Sequence, residues 1–254
     1  MTTLTKGAAY ARALARELPG GAGDLFRVAP RLGLEIREVP ADGFDGALIR
    51  AHEVPLGAIV IRKSIREAGR KNFTLAHEIG HFLIPGHDHE LVCTKSDIGN
   101  WGDGSKAIER EADDFAAELL MPSALIQRII GSAAPSLELI QKIAQRFHTS
   151  LSAAAWRYCD LAKEQCAIVW SKEGQIDWSK RSEMFALSFR KGSQLQEGTL
   201  AARAFAGLPI PKQRQEVSAG SWVSGSVLAD TKLWEQSKAL PAYDSVISLL
   251  WLRR

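Results

Sequence analysis

Cysteine is scarce: Cys93, Cys159 and Cys166 are the only three in 254 residues, and none sits in a C-x-x-C pair. That excludes a disulfide framework and points to a reducing compartment. Long apolar runs are also missing. The longest near the end, VISLLWL, falls far short of the ~20 residues that span a bilayer. The start, MTTLTKGAAYARALARELPGG, carries Lys6, Arg12 and Arg16 where a signal peptide would need an unbroken apolar core. The expectation is a soluble, cytoplasmic chain with no membrane partner. Neither sign of charge dominates. Lys and Arg number 32 against 29 Asp and Glu, so the net charge of +3 demands no nucleic acid. Repeats, heptads and low-complexity tracts are absent, which removes solenoids and coiled coils. What remains is a globular composition, long enough for one large domain or two to three small ones.

Along the chain, residues 3–19 have helical spacing of Ala, Leu and Tyr before a Pro-Gly-Gly stop. GDLFRVAPRL predicts a second, shorter helix. LEIREV, GALIRA and GAIVIRK read as strands, rich in β-branched residues and separated by Gly, Pro or Asp. A helix follows from Glu67 or Ala68 to Pro85-Gly86. HDHELVCTKSDIGNWGDGS reads as a polar loop, and KAIEREADDFAAELLM as a helix stopped at Pro122. Composition changes at GSAAPS (131–136). LELIQKIAQRF, HTS and LSAAAWRYCDLAKE then read as helix–turn–helix. From Cys166, CAIVW and IDW flank SKEGQ as a hairpin, MFALSF and SVISLLWL look like strands, and GTLAARAFAG like a short helix. The boundaries expected are 1–130, 131–165 and 166–254.

TLAHEIGHFLIPG, Thr74 to Gly86, is almost wholly apolar yet holds His77, Glu78 and His81. On a helix, positions i and i+4 differ by only about 40° in direction, so both imidazoles point one way. They make half a zinc site, and Glu78 between them is placed to take a proton from a water activated at the metal. Two satisfied core histidines would be the bland reading. Burying three ionisable groups among Phe73, Ala76, Ile79, Phe82, Leu83 and Ile84 without a purpose is costly, and favours the metal.

A catalytic zinc needs a third protein ligand and an open position. The next helix offers Glu109, Glu111, Asp113, Asp114 and Glu118. Its apolar face is Ala112, Phe115, Ala116, Leu119 and Leu120. At ~100° per residue, Glu109 lies roughly 50° from the centre of that face and Glu111 roughly 110°. Glu109 is therefore the expected ligand. Asp113, four residues on, would accept a hydrogen bond from the non-ligating nitrogen of a bound histidine. Glu111, Asp114 and Glu118 are expected in solvent.

HEIGH followed by EREADDFAAELLMP resembles the ImmA/IrrE family of zinc metallopeptidases. Glu109, Ala112, Phe115, Ala116 and Leu119-Leu120-Met121-Pro122 match that family's second block. Asp113 stands where the family usually has Asn, and Glu-x-x-x-Asp resembles the second motif of thermolysin-like zinc peptidases. The resemblance implies an α+β fold with a zincin-like peptidase domain, its active-site helix packed on a small sheet. For the longer members it implies a helical helix–turn–helix linker domain and a small α/β GAF-like C-terminal sensor domain. It also implies one catalytic Zn2+, with another divalent ion such as Mn2+ left open. The implied substrate is a helix–turn–helix transcriptional repressor, cut in response to stress or a mobile-element signal.

Other residues stay open at this level. His87 and His89 could stabilise an oxyanion, or be exposed loop histidines. Cys93 could give a thiolate to the open zinc position as a redox-removable inhibitor, or be a small core residue. DIGNWGDG lacks calcium-loop spacing. The second helix of the helix–turn–helix offers chiefly Arg157 and Lys163, so direct DNA binding is disfavoured against a structural or docking role. Trp170, Trp178, Trp222, Trp234 and Trp251 could line a pocket for a small-molecule signal, or pack a core. The competing function is a metal-stabilised DNA-binding regulator that cleaves nothing.

Overall fold

The computed structural model describes residues 4–18, 24–51, 54–87, 91–94, 105–223 and 231–252. The fold is mixed α+β, in two compact units: residues 1–123 with 146–150, and residues 124–145 with 151–254.

The first unit opens with helices α1 (Lys6–Glu17) and α2 (Leu25–Arg31). Thr5 and Asp24 cap them, their side chains accepting from Ala8 N and Phe26 N. Strands β1 (Leu34–Val39), β2 (Phe44–Arg50), β3 (Gly57–Arg62) and β4 (Leu91–Thr94) form one sheet in the order β1-β3-β2-β4. The β1–β3 pair is parallel, and β2 runs antiparallel to both β3 and β4. β4 falls inside the stretch read from sequence as loop. Helices α3 (Ala68–Leu83) and α4 (Ser105–Leu120) complete the layer. The core combines Leu34, Leu48, Ile59 and Ile61 of the strands with Leu75, Ile79, Phe115 and Leu119 of the helices.

Strand β2 fixes the position of α3 at both ends. The β2–β4 register slips between Phe44 and Gly46, so Asp45 sits in a bulge. Its buried carboxylate pairs with Arg62 of β3 and Arg70 in the first turn of α3. At the other end of β2, Arg50 donates to the carbonyls of His81, Phe82 and His87, occupying C-terminal acceptors of α3. α3 meets α4 closely because residue 80 is glycine. A Cβ there would lie 3.0–3.2 Å from the Phe115 side chain.

The second unit holds α5 (Ser123–Ile130, all but its first residue), α6 (Leu137–Arg146, all but its last), α7 (Leu151–Leu161) and α8 (Leu200–Phe205). Its sheet, in the order β6-β5-β9-β8-β7, contains β5 (Cys166–Lys172), β6 (Gln175–Arg181), β7 (Gln215–Ser218), β8 (Lys232–Leu240) and β9 (Ser245–Leu252), all antiparallel. Glu173 (φ 52°) and Gly174 (φ 74°) make the β5–β6 turn, whose two left-handed residues match a type I′ hairpin. α6 is bound to β8. Gln236 Oε1 accepts from Leu137 N at 2.8 Å while Gln236 Nε2 donates to Glu138.

Two expectations are corrected here. MFALSF is not a strand. Phe185 and Leu187 do alternate inward, but Arg181 Nη1 donates to their carbonyls at 3.4 and 3.1 Å, and no ladder forms. β7 and β8 were not anticipated. β8 buries Glu235, Gln236 and Ser237, which hides the apolar alternation of a strand.

Candidate metal centre

His77 and His81 are one helical turn apart on α3 and both are buried. Their Nε2 atoms stand 2.9 Å apart and the rings meet edge to face. Glu109, near the start of α4, reaches the same point: Oε2 is 3.1 Å from His77 Nε2 and Oε1 3.4 Å from His81 Nε2. The three donors lie within 4.8 Å of one another, close enough to hold one metal ion.

This set fits zinc. Donors at 2.0–2.1 Å from a tetrahedral ion are about 3.3–3.4 Å apart, a few tenths of an ångström from the observed spacings. Its electrostatics fit as well. Burial would raise the Glu109 carboxyl, but hydrogen bonds with His77 and His81 and their charge outweigh it and hold it at about 2. Burial pushes the His81 imidazole below its ordinary value, which favours the neutral form that can ligate.

Each imidazole is held from its other nitrogen. Asp113 Oδ1 lies 2.9 Å from His77 Nδ1. The carboxylate only accepts, so this contact favours the proton on Nδ1, the tautomer that would leave the Nε2 lone pair for a metal. His81 Nδ1 lies 3.0 Å from His87 Nδ1, and His87 Nε2 lies 3.1 Å from Glu111 Oε2. Glu111 is in turn 3.0 Å from Lys6 Nζ. Glu78 is fully buried, its carboxylate close against Gly46 of β2.

Several expected positions change. His87 is neither exposed nor aimed as an oxyanion donor: it is buried, and both ring nitrogens are engaged behind His81. It stands ten residues after His77, the spacing of a third histidine ligand in other H-E-x-x-H sites. Glu109, not His87, is the third member of the cluster with His77 and His81. Glu111 is half-buried and bridges His87 and Lys6. Glu118 is buried, accepting from Arg12 Nε at 2.8 Å and Ser123 Oγ at 3.0 Å. Asp114 is half-buried. His89 lies outside the described residues. Only the backbone of Cys93 is described, in β4 opposite Gly46. The contacts of Lys6, Arg12 and Arg50 were missed, because nothing local in sequence ties them to residues 31 to 111 positions away.

Two histidines and a glutamate brought together from consecutive helices are what a gluzincin-type peptidase needs. The chain belongs to the M78 peptidase family. The family's IrrE N-terminal-like domain matches residues 29–158. The radiation response metalloprotease IrrE of Deinococcus radiodurans is 32% identical over 127 residues, 49% of this chain and 36% of that protein. IrrE of Deinococcus deserti is 33% identical over 127 residues, 49% of this chain and 42% of that protein. The match thus spans less than half the length of either relative. A Mycobacterium tuberculosis transcriptional regulator has a similar fold, with a TM-score of 0.60 at 14% identity over 97% of this chain and 76% of that one. Among the described residues, no helix is long and apolar enough to cross a membrane.

Proposed function

We propose that the chain is a zinc-dependent endopeptidase. The observation that carries this reading is the meeting of His77 Nε2, His81 Nε2 and the Glu109 carboxylate, on the helix that also carries the buried Glu78. These three residues would hold the ion. When bound, zinc polarises a peptide carbonyl and brings the pKa of water to about 7. Glu78 accepts a proton as water attacks the carbonyl carbon, and passes it to the departing amine. Asp113 and His87 keep the two imidazoles in the ligating orientation.

The substrate proposed is a helix–turn–helix transcriptional repressor, whose cleavage switches on a stress or mobile-element response. The family membership and the two radiation-response relatives support this. The C-terminal residues 166–254, whose described residues add nothing to the metal cluster, would govern when or what is cut, through a small-molecule signal or substrate docking. A purely structural metal would normally be closed by four protein ligands, whereas three cluster among the described residues. That disfavours a DNA-binding regulator without peptidase activity. The test is to incubate the zinc-loaded protein with a candidate helix–turn–helix repressor, such as one found encoded beside it. Cleavage that a chelator stops and zinc restores is expected. An intact repressor with a strong DNA mobility shift would favour the regulator instead.

A further inference from the structure

His81 is tied to a chain of side chains that leaves the metal helix: His87, then Glu111 of α4, then Lys6 of α1. With both imidazoles neutral, one arrangement of protons satisfies every contact in it. An ionised carboxylate oxygen only accepts, so both Lys6 Nζ and His87 Nε2 donate to Glu111 Oε2. A neutral His87 with its proton on Nε2 offers Nδ1 as an acceptor. His81 must then donate from Nδ1, and its lone pair is left on Nε2. That nitrogen faces His77 Nε2 and Glu109.

The surrounding backbone is built to hold this chain. A Cβ at Gly7 would collide with the Glu111 carbonyl and stand 2.9 Å from Phe115 N, so only glycine lets α1 come this close to α4. That approach sets Lys6 on Glu111. Lys6 Nζ also donates to Pro85 O at 2.8 Å, and Arg50 to His87 O at 3.3 Å, so the turn carrying His87 is held at two points.

We infer that His87, Glu111 and Lys6 are positioning residues that fix His81 as the Nδ1–H tautomer, so that Nε2 presents its lone pair to the metal. This rests on the zinc reading above. It makes the two histidine ligands unequal: His77 is oriented by one carboxylate, and His81 by a relay that starts on α1.

The experiment uses full-length protein labelled with 15N-histidine, metal-free and above the histidine titration range, together with zinc affinity measured against a chromophoric chelator. His87 should carry its proton on Nε2 and His81 on Nδ1. Glu111→Ala should lose the His87 preference and weaken zinc binding ~10–100-fold. Glu111→Gln, whose amide oxygen still accepts, should restore both. A proton on His87 Nδ1 in the wild type overturns the relay. So does zinc affinity in Glu111→Ala equal to that of the wild type. Correct tautomers in a wild-type chain that binds no zinc would leave the relay standing and sink the peptidase reading.

Discussion

Gly46 of β2 lies against both Thr74 and the Glu78 carboxylate: a Cβ at position 46 would collide with Thr74 Cγ2 and stand 2.8 Å from Glu78 Oε1 and 3.3 Å from its Cγ. The sheet therefore sets where the proposed base can sit. Gly46→Ala should push Thr74 and Glu78 aside while replacing none of the proposed ligands. Displacement of a catalytic group by an ångström costs ~10²-fold in rate. Turnover should fall by about that much with zinc content unchanged, by elemental analysis. Equal turnover in the variant would show that Glu78 has room to spare.

Glu109 and Asp113 should separate cleanly by metal binding. Glu109→Ala removes a ligand and should lose most bound zinc. Asp113→Ala removes the acceptor on His77 Nδ1, 2.9 Å away, and should weaken zinc ~10–100-fold while keeping a one-to-one site. Chelator competition measures both. Full zinc retention in Glu109→Ala would move the third ligand elsewhere.

In the second unit, Glu235 is buried and accepts from Ala201 N at 3.1 Å, Trp222 Nε1 at 3.0 Å and Ser237 Oγ at 2.7 Å. Burial raises its carboxyl above the ordinary value, and these hydrogen bonds only partly oppose that. The folded state thus holds its proton more tightly than the unfolded chain. The resulting stabilisation is complete below about pH 4.5 and is lost as pH rises through the folded value. The wild type should lose stability relative to Glu235→Gln over that window, by denaturant unfolding at several pH values. A constant difference across the window would mean that Glu235 titrates normally when folded.

Much of the first unit is legible in the sequence, because its signals are local. β1, β2 and β3 are β-branched runs bounded by Gly, Pro or Asp, and α3 and α4 have clear apolar phases. His77 and His81 converge by helical spacing alone. What sequence could not give is partnership at a distance. Glu111 reads as solvated and His87 as either an oxyanion donor or a loop residue, and nothing in the sequence joins them to Lys6 until α1 meets α4 over Gly7. Asp45 and Arg50 look like ordinary strand charges, yet they hold the two ends of α3. In the second unit local pattern also misled. MFALSF alternates like a strand, but the Arg181 guanidinium takes carbonyls that a ladder would need. β8 carries Glu235, Gln236 and Ser237 inward, where strands usually show apolar residues.

The most direct test of the peptidase reading is Glu78→Gln in the full-length protein, assayed together for zinc content and repressor cleavage. The amide keeps the size of the side chain but cannot take a proton. Zinc at the wild-type level with cleavage slowed ~10²–10⁴-fold or more is expected. Cleavage at the wild-type rate would contradict Glu78 as the base, and loss of zinc would make it a ligand.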